Sequence, residues 1–161
     1  MKIERRIAEL GLELPDFGGA SYYGASYGSM KPFHVSGNML HLSGHVPQKP
    51  DGAGILHPGR LGETVTLEQG IEAARLTGLN VLAGIKQAIG DLDRVSAFVK
   101  SLNFVACAPD FFDVHKVSSG MTDLLAEVFG RDIGIGCRAT IGIQTLALNN
   151  CFETWAEVEF R

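Results

Sequence analysis

The chain is short of cysteine and proline, has no surplus of positive charge and contains no long apolar run, and each shortage removes a class of protein. Its three cysteines, Cys107, Cys137 and Cys151, are odd in number and lack CxxC spacing, which excludes a disulfide framework and a cysteine-paired zinc site. Reduced thiols, buried by default, in a cytoplasmic protein are the expectation. Six prolines beside 20 glycines, with 45% hydrophobic residues, exclude collagen and a wholly disordered chain. Fourteen basic against 18 acidic side chains give a formal net charge of -4, without the basic surplus that a phosphate backbone requires, so nucleic acid is disfavoured as a partner. No apolar stretch approaches the roughly 18 residues of a membrane span. Met1-Lys2-Ile3-Glu4-Arg5-Arg6 places charges where a signal peptide has its apolar stretch, and no membrane partner is expected. Neither a GxGxxG nor a Walker loop is present, and the chemistry is read as cofactor-free.

At 161 residues the chain is the size of one domain that can bury a core without staples. Two parts are distinguished: residues 1–31, a helical arm and a loop rich in glycine and tyrosine, and residues 32–161, the folded domain. Ile3, Ile7, Leu10 and Leu14 recur at helical spacing before Pro15. Residues 18–29 nearly repeat an Ala-Ser-Tyr-Gly unit and read as a loop that is either a surface covering or a pocket wall. Phe33–Ser36 and Met39–Leu42 alternate around Gly37-Asn38, a two-residue hairpin signal that sets Val35 opposite Leu40 and His34 opposite His41. His45 lies about 13 Å beyond His41 on an extended strand, too far to complete a metal site, and no metal is assigned. Thr66 caps a helix that runs through Leu67, Ile71, Ala74, Gly78, Leu82, Ile85 and Ile89 to Gly90. Gly78 and Gly84 within it point to close packing against another backbone. Residues 95–105 read as a strand apolar on both faces, with Ala97, Val99 and Val105 on one and Phe98, Leu102 and Phe104 on the other. A second helix carries Val117, Met121, Leu124, Leu125, Val128 and Phe129 and closes at Gly130. Two last strands, about 135–146 and 151–160, flank the turn-like Ala147-Leu148-Asn149-Asn150.

The order β-β-α-β-α-β-β defines an α+β fold, a mixed sheet with both long helices on one face. The opposite face is expected to be hidden by other copies of the chain in a closed homo-oligomer.

In the strand around Arg138, alternation separates Arg138, Thr140 and Gln144 from Ala139, Ile141 and Ile143. If residues 147–150 make a hairpin, the side that holds Arg138 also holds Glu153, Trp155, Glu157 and Glu159. A planar guanidinium with a carboxylate nearby suits bidentate capture of a substrate carboxylate, with Glu153 relaying a proton. The competing reading is an ordinary cross-strand ion pair. Cys137 alternates away from Arg138 and reads as a core thiol rather than a nucleophile.

Several motifs in order, Gly37-Asn38 with Ser43-Gly44-His45-Val46-Pro47, Glu72-Ala73-Ala74-Arg75 with Leu79-Asn80, Gly90-Asp91-Leu92-Asp93-Arg94-Val95, Val128-Phe129-Gly130 and Arg138-Ala139-Thr140 with Glu153 fifteen positions on, resemble the reactive-intermediate deaminase family. This family is also called YjgF-like or endoribonuclease L-PSP, and the likeness is to its longer members over Pro32 to Phe160. The resemblance implies a chorismate-mutase-like fold and a homotrimer with ligand sites in the clefts between subunits. It implies that Arg138 grips the carboxylate of a small ligand, that Glu153 helps activate water, and that Ser43 and Thr140 line the pocket. The implied reaction is hydrolysis of 2-imino or enamine acids to 2-oxo acids and ammonia. A noncatalytic trimer that binds a small carboxylate or a protein partner is the alternative, and an endoribonuclease the third. Two positions depart from the family pattern: Met30 stands where it has a tyrosine, and Ser119 where active deaminases have an asparagine.

Tyr27, three residues before Met30 on a glycine-flexible segment, is the candidate to replace the missing ring. Met30 removes a hydroxyl and softens the pocket, so larger or more apolar imino acids are expected to be preferred. In substrate profiling, Met30→Tyr should shift the ranking toward small imino acids, and Tyr27→Phe should impair turnover more than folding. A silent Tyr27→Phe with an unchanged ranking in Met30→Tyr would remove this loop from the site.

Overall fold

A computed structural model describes residues 1–16, 28–50 and 53–161. Tyr27 and most of the tyrosine-rich loop lie outside the described residues.

The long helix starts and stops where its end signals sit. Thr66 is extended and accepts the Gln69 N–H at 3.2 Å, while the Gln69 side chain accepts the Thr66 N–H at 2.9 Å, a reciprocal capping box. Helix Leu67–Ile89 follows and ends at Gly90, whose φ of +82° suits glycine. The second long helix, Val114–Phe129, stops at Gly130. In chain order the helices are α1 (Lys2–Glu9), α2 (Leu67–Ile89), α3 (Val114–Phe129) and the single turn α4 (Arg131–Gly134). Small residues let α2 and α3 touch. Gly78 faces Met121 and Leu124, and Gly120 lies so close to the Ile71 carbonyl that a Cβ would collide with it. Gly84 makes room for something else, since a Cβ there would lie 2.6 Å from His45 Nε2.

The strands are β1 (Phe33–Ser36), β2 (Met39–Leu42), β3 (Val95–Ala106), β4 (Cys137–Ile143) and β5 (Phe152–Phe160), in the spatial order β1-β2-β5-β3-β4. The hairpin has the expected register, with His34 opposite His41 and Val35 opposite Leu40. Gly37 supplies φ +61°. The expected hairpin between the last two strands does not form. β4 instead pairs parallel to β3 at the sheet edge, and β5 lies between β2 and β3, antiparallel to both. A short 3-10 turn, Ala147–Asn149, with Leu148 and Asn149 at φ +55° and +60°, redirects the chain. The reason is burial: Phe152, Thr154, Ala156 and Val158 are all buried, which a central strand achieves and an edge strand does not.

Both helices cover one face of this sheet, as the order of elements implied. β3 departs from strict alternation because two register shifts interrupt its pairing with β5, between Val95 and Ala97 and between Phe98 and Lys100. Phe98 therefore joins Ser101, Asn103 and Val105 on the helix side, its ring 5.1 Å from that of Phe129. Leu102 and Phe104 stay on the open face and are half-buried.

The arm is attached to this core. Helix α1 is shorter than the apolar spacing suggested, with Gly11 at φ +69° shortly beyond its end. The Asp93 carboxylate accepts the backbone N–H groups of Lys2 and Ile3 at 2.7 and 2.8 Å, capping α1 from a distant part of the chain. These donors hold the Asp93 carboxyl at about 2. Ile7 is buried, and Glu4 pairs with Lys86 at 2.6 Å. No helix among the described residues is long and apolar enough to cross a membrane.

His45 is enclosed under α2. Its Nδ1 lies 2.8 Å from the Ser43 carbonyl, to which it donates, and its backbone bridges to Thr154. Burial pushes the imidazole from 6.5 down to about 4, opposed by that hydrogen bond. The unfolded chain therefore takes up a proton that the folded one refuses. His45 contributes nothing adverse above about pH 6.5, and stability falls as pH drops from there toward 4, by about 3 kcal/mol over the window. Urea unfolding measured across this range should show the loss, and His45→Leu should flatten that part of the profile even if it is less stable at pH 7. An unchanged slope in His45→Leu would exclude His45 as the source.

Candidate active site

Arg138 sits near the start of the edge strand β4. It is in register with Ser101 of β3 and so faces the helix side, where α3 runs alongside. The guanidinium donates from Nη1 to Thr122 Oγ1 at 2.9 Å and Ser119 Oγ at 3.3 Å, and from Nη2 to the His115 carbonyl at 3.2 Å. Positions 115, 119 and 122 recur at helical spacing and form one polar stripe on a helix whose other inward residues, among them Val117, Met121 and Leu124, are apolar. Two residues along β4, Thr140 Oγ1 lies 2.6 Å from Ser118 Oγ. The buried Ser118 hydroxyl donates to the His115 carbonyl at 3.1 Å, so Thr140 is the donor in that pair. Among the described residues no carboxylate pairs with Arg138, which overturns the ion-pair reading and leaves its charge uncompensated.

Glu153 is elsewhere. It lies opposite Phe104 on β3, which places it on the open face with Trp155, Leu102 and Ile141. Arg138 and Glu153 therefore do not share a polar side as a β4–β5 hairpin would have made them do. With β3 between the two strands, register and not loop length sets their faces. Glu153 is half-buried, and its Oε1 accepts the Trp155 Nε1–H at 3.3 Å. Desolvation raises its carboxyl above the ordinary range, while the indole bond opposes the rise. Gly44 lies directly against that carboxylate. The adjacent Ser43 donates its hydroxyl to the Lys31 carbonyl at 2.5 Å and its N–H to Pro32 at 3.0 Å. Met30, exposed, directly precedes Lys31.

The structure thus brings Arg138, Ser119 and Thr140 together on the helix side and, separately, Ser43 and Glu153 on the open side, with Met30 at the fringe. Ser118 and Thr122 are marked in the sequence only by polarity within an apolar helix face, and Trp155, placed beside Glu153 by alternation, carries no signal there of a role of its own. Cys137 does alternate away from Arg138, but it is exposed rather than a core thiol, because β4 is an edge strand and this face carries no helix. Cys107 and Cys151 are buried, and burial raises both thiols, Cys151 to about 11. His41 Nδ1 lies 3.4 Å from Glu157 Oε1. Among the described residues no group of three His, Cys, Asp or Glu is placed to hold a metal ion.

Residues 4–154 match the family described as "YjgF/chorismate mutase-like, putative endoribonuclease", and the chain belongs to that family. It is 35% identical over 158 residues to protein TCP17 of Trypanosoma cruzi, covering 98% of this chain and 94% of that one. The crystal structure of Atu1372 from Agrobacterium tumefaciens, a protein of unknown function, superposes with a TM-score of 0.85 at 35% identity over 99% of this chain and 94% of that chain. A Shewanella oneidensis protein described as "a putative endoribonuclease" gives 0.88 at 29% identity over 98% and 99% of the two chains.

Proposed function

We propose that this protein hydrolyses reactive 2-imino and enamine acids to 2-oxo acids and ammonia, as a cytoplasmic homotrimer with its sites in the clefts between copies. The observation that carries this reading is the free charge of Arg138, oriented by two hydroxyls and a carbonyl and opposed by no acid among the described residues. Those bonds engage both Nη groups and fix the cation in place, leaving its charge and the Nε–H to attract a carboxylate, whereas an arginine already paired to a glutamate is neutralised. Glu153 supplies the second function. A carboxyl raised by burial exchanges protons near neutral pH more readily than an ordinary one. It can take one proton from the attacking water as oxygen bonds to C2 of the iminium and return it to the nitrogen, and as the C–N bond breaks the remaining hydroxyl proton leaves with the departing ammonia. The balance is iminium plus water giving oxo acid plus ammonium, with no electron transfer. Because imines are reactive by nature, one anchor and one positioned water suffice.

Arg138 and Glu153 point to opposite sides of the same sheet, so a single substrate meets both only if two chains contribute. Three features support the assembly: the unpaired outer edge of β4, the exposed Trp155 and Ile141, and the half-buried Leu102 and Phe104 beside them. A binder of small carboxylates without chemistry would use the same anchor but would not need Glu153. The acidic balance of the chain disfavours ribonuclease activity.

The test is imine hydrolysis with the substrate generated in place by an amino-acid oxidase, alongside sedimentation equilibrium. Arg138→Ala should lose about 2 to 4 kcal/mol of transition-state binding, and Arg138→Lys should fail comparably because an ammonium lacks the planar fork. Co-expressed Arg138→Ala and Glu153→Gln chains should regain activity that neither has alone, at about one intact site in four for random assembly of a closed ring. A folded monomer at micromolar concentration, or undiminished turnover by Arg138→Ala, defeats the proposal. Retained turnover by Glu153→Gln defeats the role given to the acid.

A further inference from the structure

We infer that Trp155 is the positioning residue for Glu153, its indole N–H and the space left by Gly44 together fixing where the carboxylate points. This rests on Glu153 being the group that moves the proton. Trp155 and Glu153 are two residues apart on β5 and so stand side by side on one face, and Nε1 reaches Oε1 at 3.3 Å. The indole is held in turn by Phe104, edge-on with ring centroids 5.9 Å apart at 70°. From the other side the carboxylate meets the backbone of Gly44. A Cβ at that position would collide with Glu153 Oε1 and lie 3.0 Å from the indole nitrogen. Gly44 has no positive φ, so space rather than backbone freedom explains the glycine. The carboxylate is thus confined between a backbone and a donor.

Other charges on this face are engaged elsewhere. Glu157, about 13 Å along β5, pairs with His41 of β2 at 3.4 Å and Lys100 of β3 at 3.8 Å. Glu159 accepts from Asn38 at 3.0 Å. β4 contributes the Cys137 thiol, the 43–44 segment contributes no charge, and Arg138 is on the far side of the sheet. Among the described residues, the indole is the side chain that hydrogen-bonds Glu153. Its N–H favours the carboxylate form against the burial that disfavours it. Trp155→Phe keeps the ring and removes the donor, so Glu153 should hold its proton to higher pH.

The single tryptophan gives one indole N–H resonance, which makes the test direct. In the parent protein that resonance should follow one titration between about pH 3 and 8, with its midpoint above the ordinary glutamate value, and the titration should vanish in Glu153→Gln. In Trp155→Phe the acid limb of kcat for imine hydrolysis should move to higher pH with KM little changed. An indole resonance that ignores pH, or that titrates unchanged in Glu153→Gln, overturns the inference. Should Glu153→Gln fail to fold, carboxyl-labelled glutamate decides: the highest glutamate midpoint must rise in Trp155→Phe, and an unmoved midpoint is equally fatal. If the parent protein turns over no imine, the proposed activity falls while the indole titration still judges the Trp155–Glu153 pair.

Discussion

The register of β3 governs where Arg138, Thr140 and Glu153 point. It pairs with β4 on one edge and β5 on the other, Ser101 beside Arg138 and Phe104 beside Glu153. Because side chains alternate, those two pairings send the guanidinium under the helices and the carboxyl into the open. A slip of one residue on either edge would exchange the faces, and with them the whole division of the site. The long run of β3–β5 pairing, which buries Phe152, Thr154, Ala156 and Val158, opposes such a slip, since it would expose that mostly apolar row.

Helix α3 does more than cover the sheet. Its inward apolar residues lock it against α2 through the contact of Gly120 with Ile71, and the same locked helix presents the His115 carbonyl and the hydroxyls of Ser118, Ser119 and Thr122 to β4. These are uncharged partners. They orient a guanidinium without cancelling its charge, whereas a carboxylate at any of these positions would have turned an anion anchor into a structural ion pair.

Much of this was legible in the sequence wherever a local signal had one structural meaning. Thr66 with Gln69, Gly90, Gly130 and the Gly37-Asn38 turn each mark an end or a reversal that the backbone can make in few ways. The pattern misled where the deciding fact was non-local. Residues 147–150 read as a hairpin turn, yet the same four residues can pass the chain to the far side of β3, and only the burial demanded by β5 selects between the two. The shifts in β3 carry no glycine or proline to announce them, so Phe98 was placed by alternation on the wrong face. Cys137 was assigned its direction correctly and its burial wrongly, because alternation tells which way a residue points and not whether anything stands there. Trp155 and Ser118 lay outside any motif, and their roles emerged only from neighbours far away in the chain.

The Asp93 cap also orders events in time. An eight-residue helix is too short to persist alone in water, and the bonds that hold α1 join residues 90, 91 and, through Arg6 and the Glu127 carbonyl, 121 positions apart. Such distant closures become favourable only after the intervening chain has condensed. Docking of the first segment as a helix thus depends on a core that has placed its receptor carboxylate at the threshold of β3.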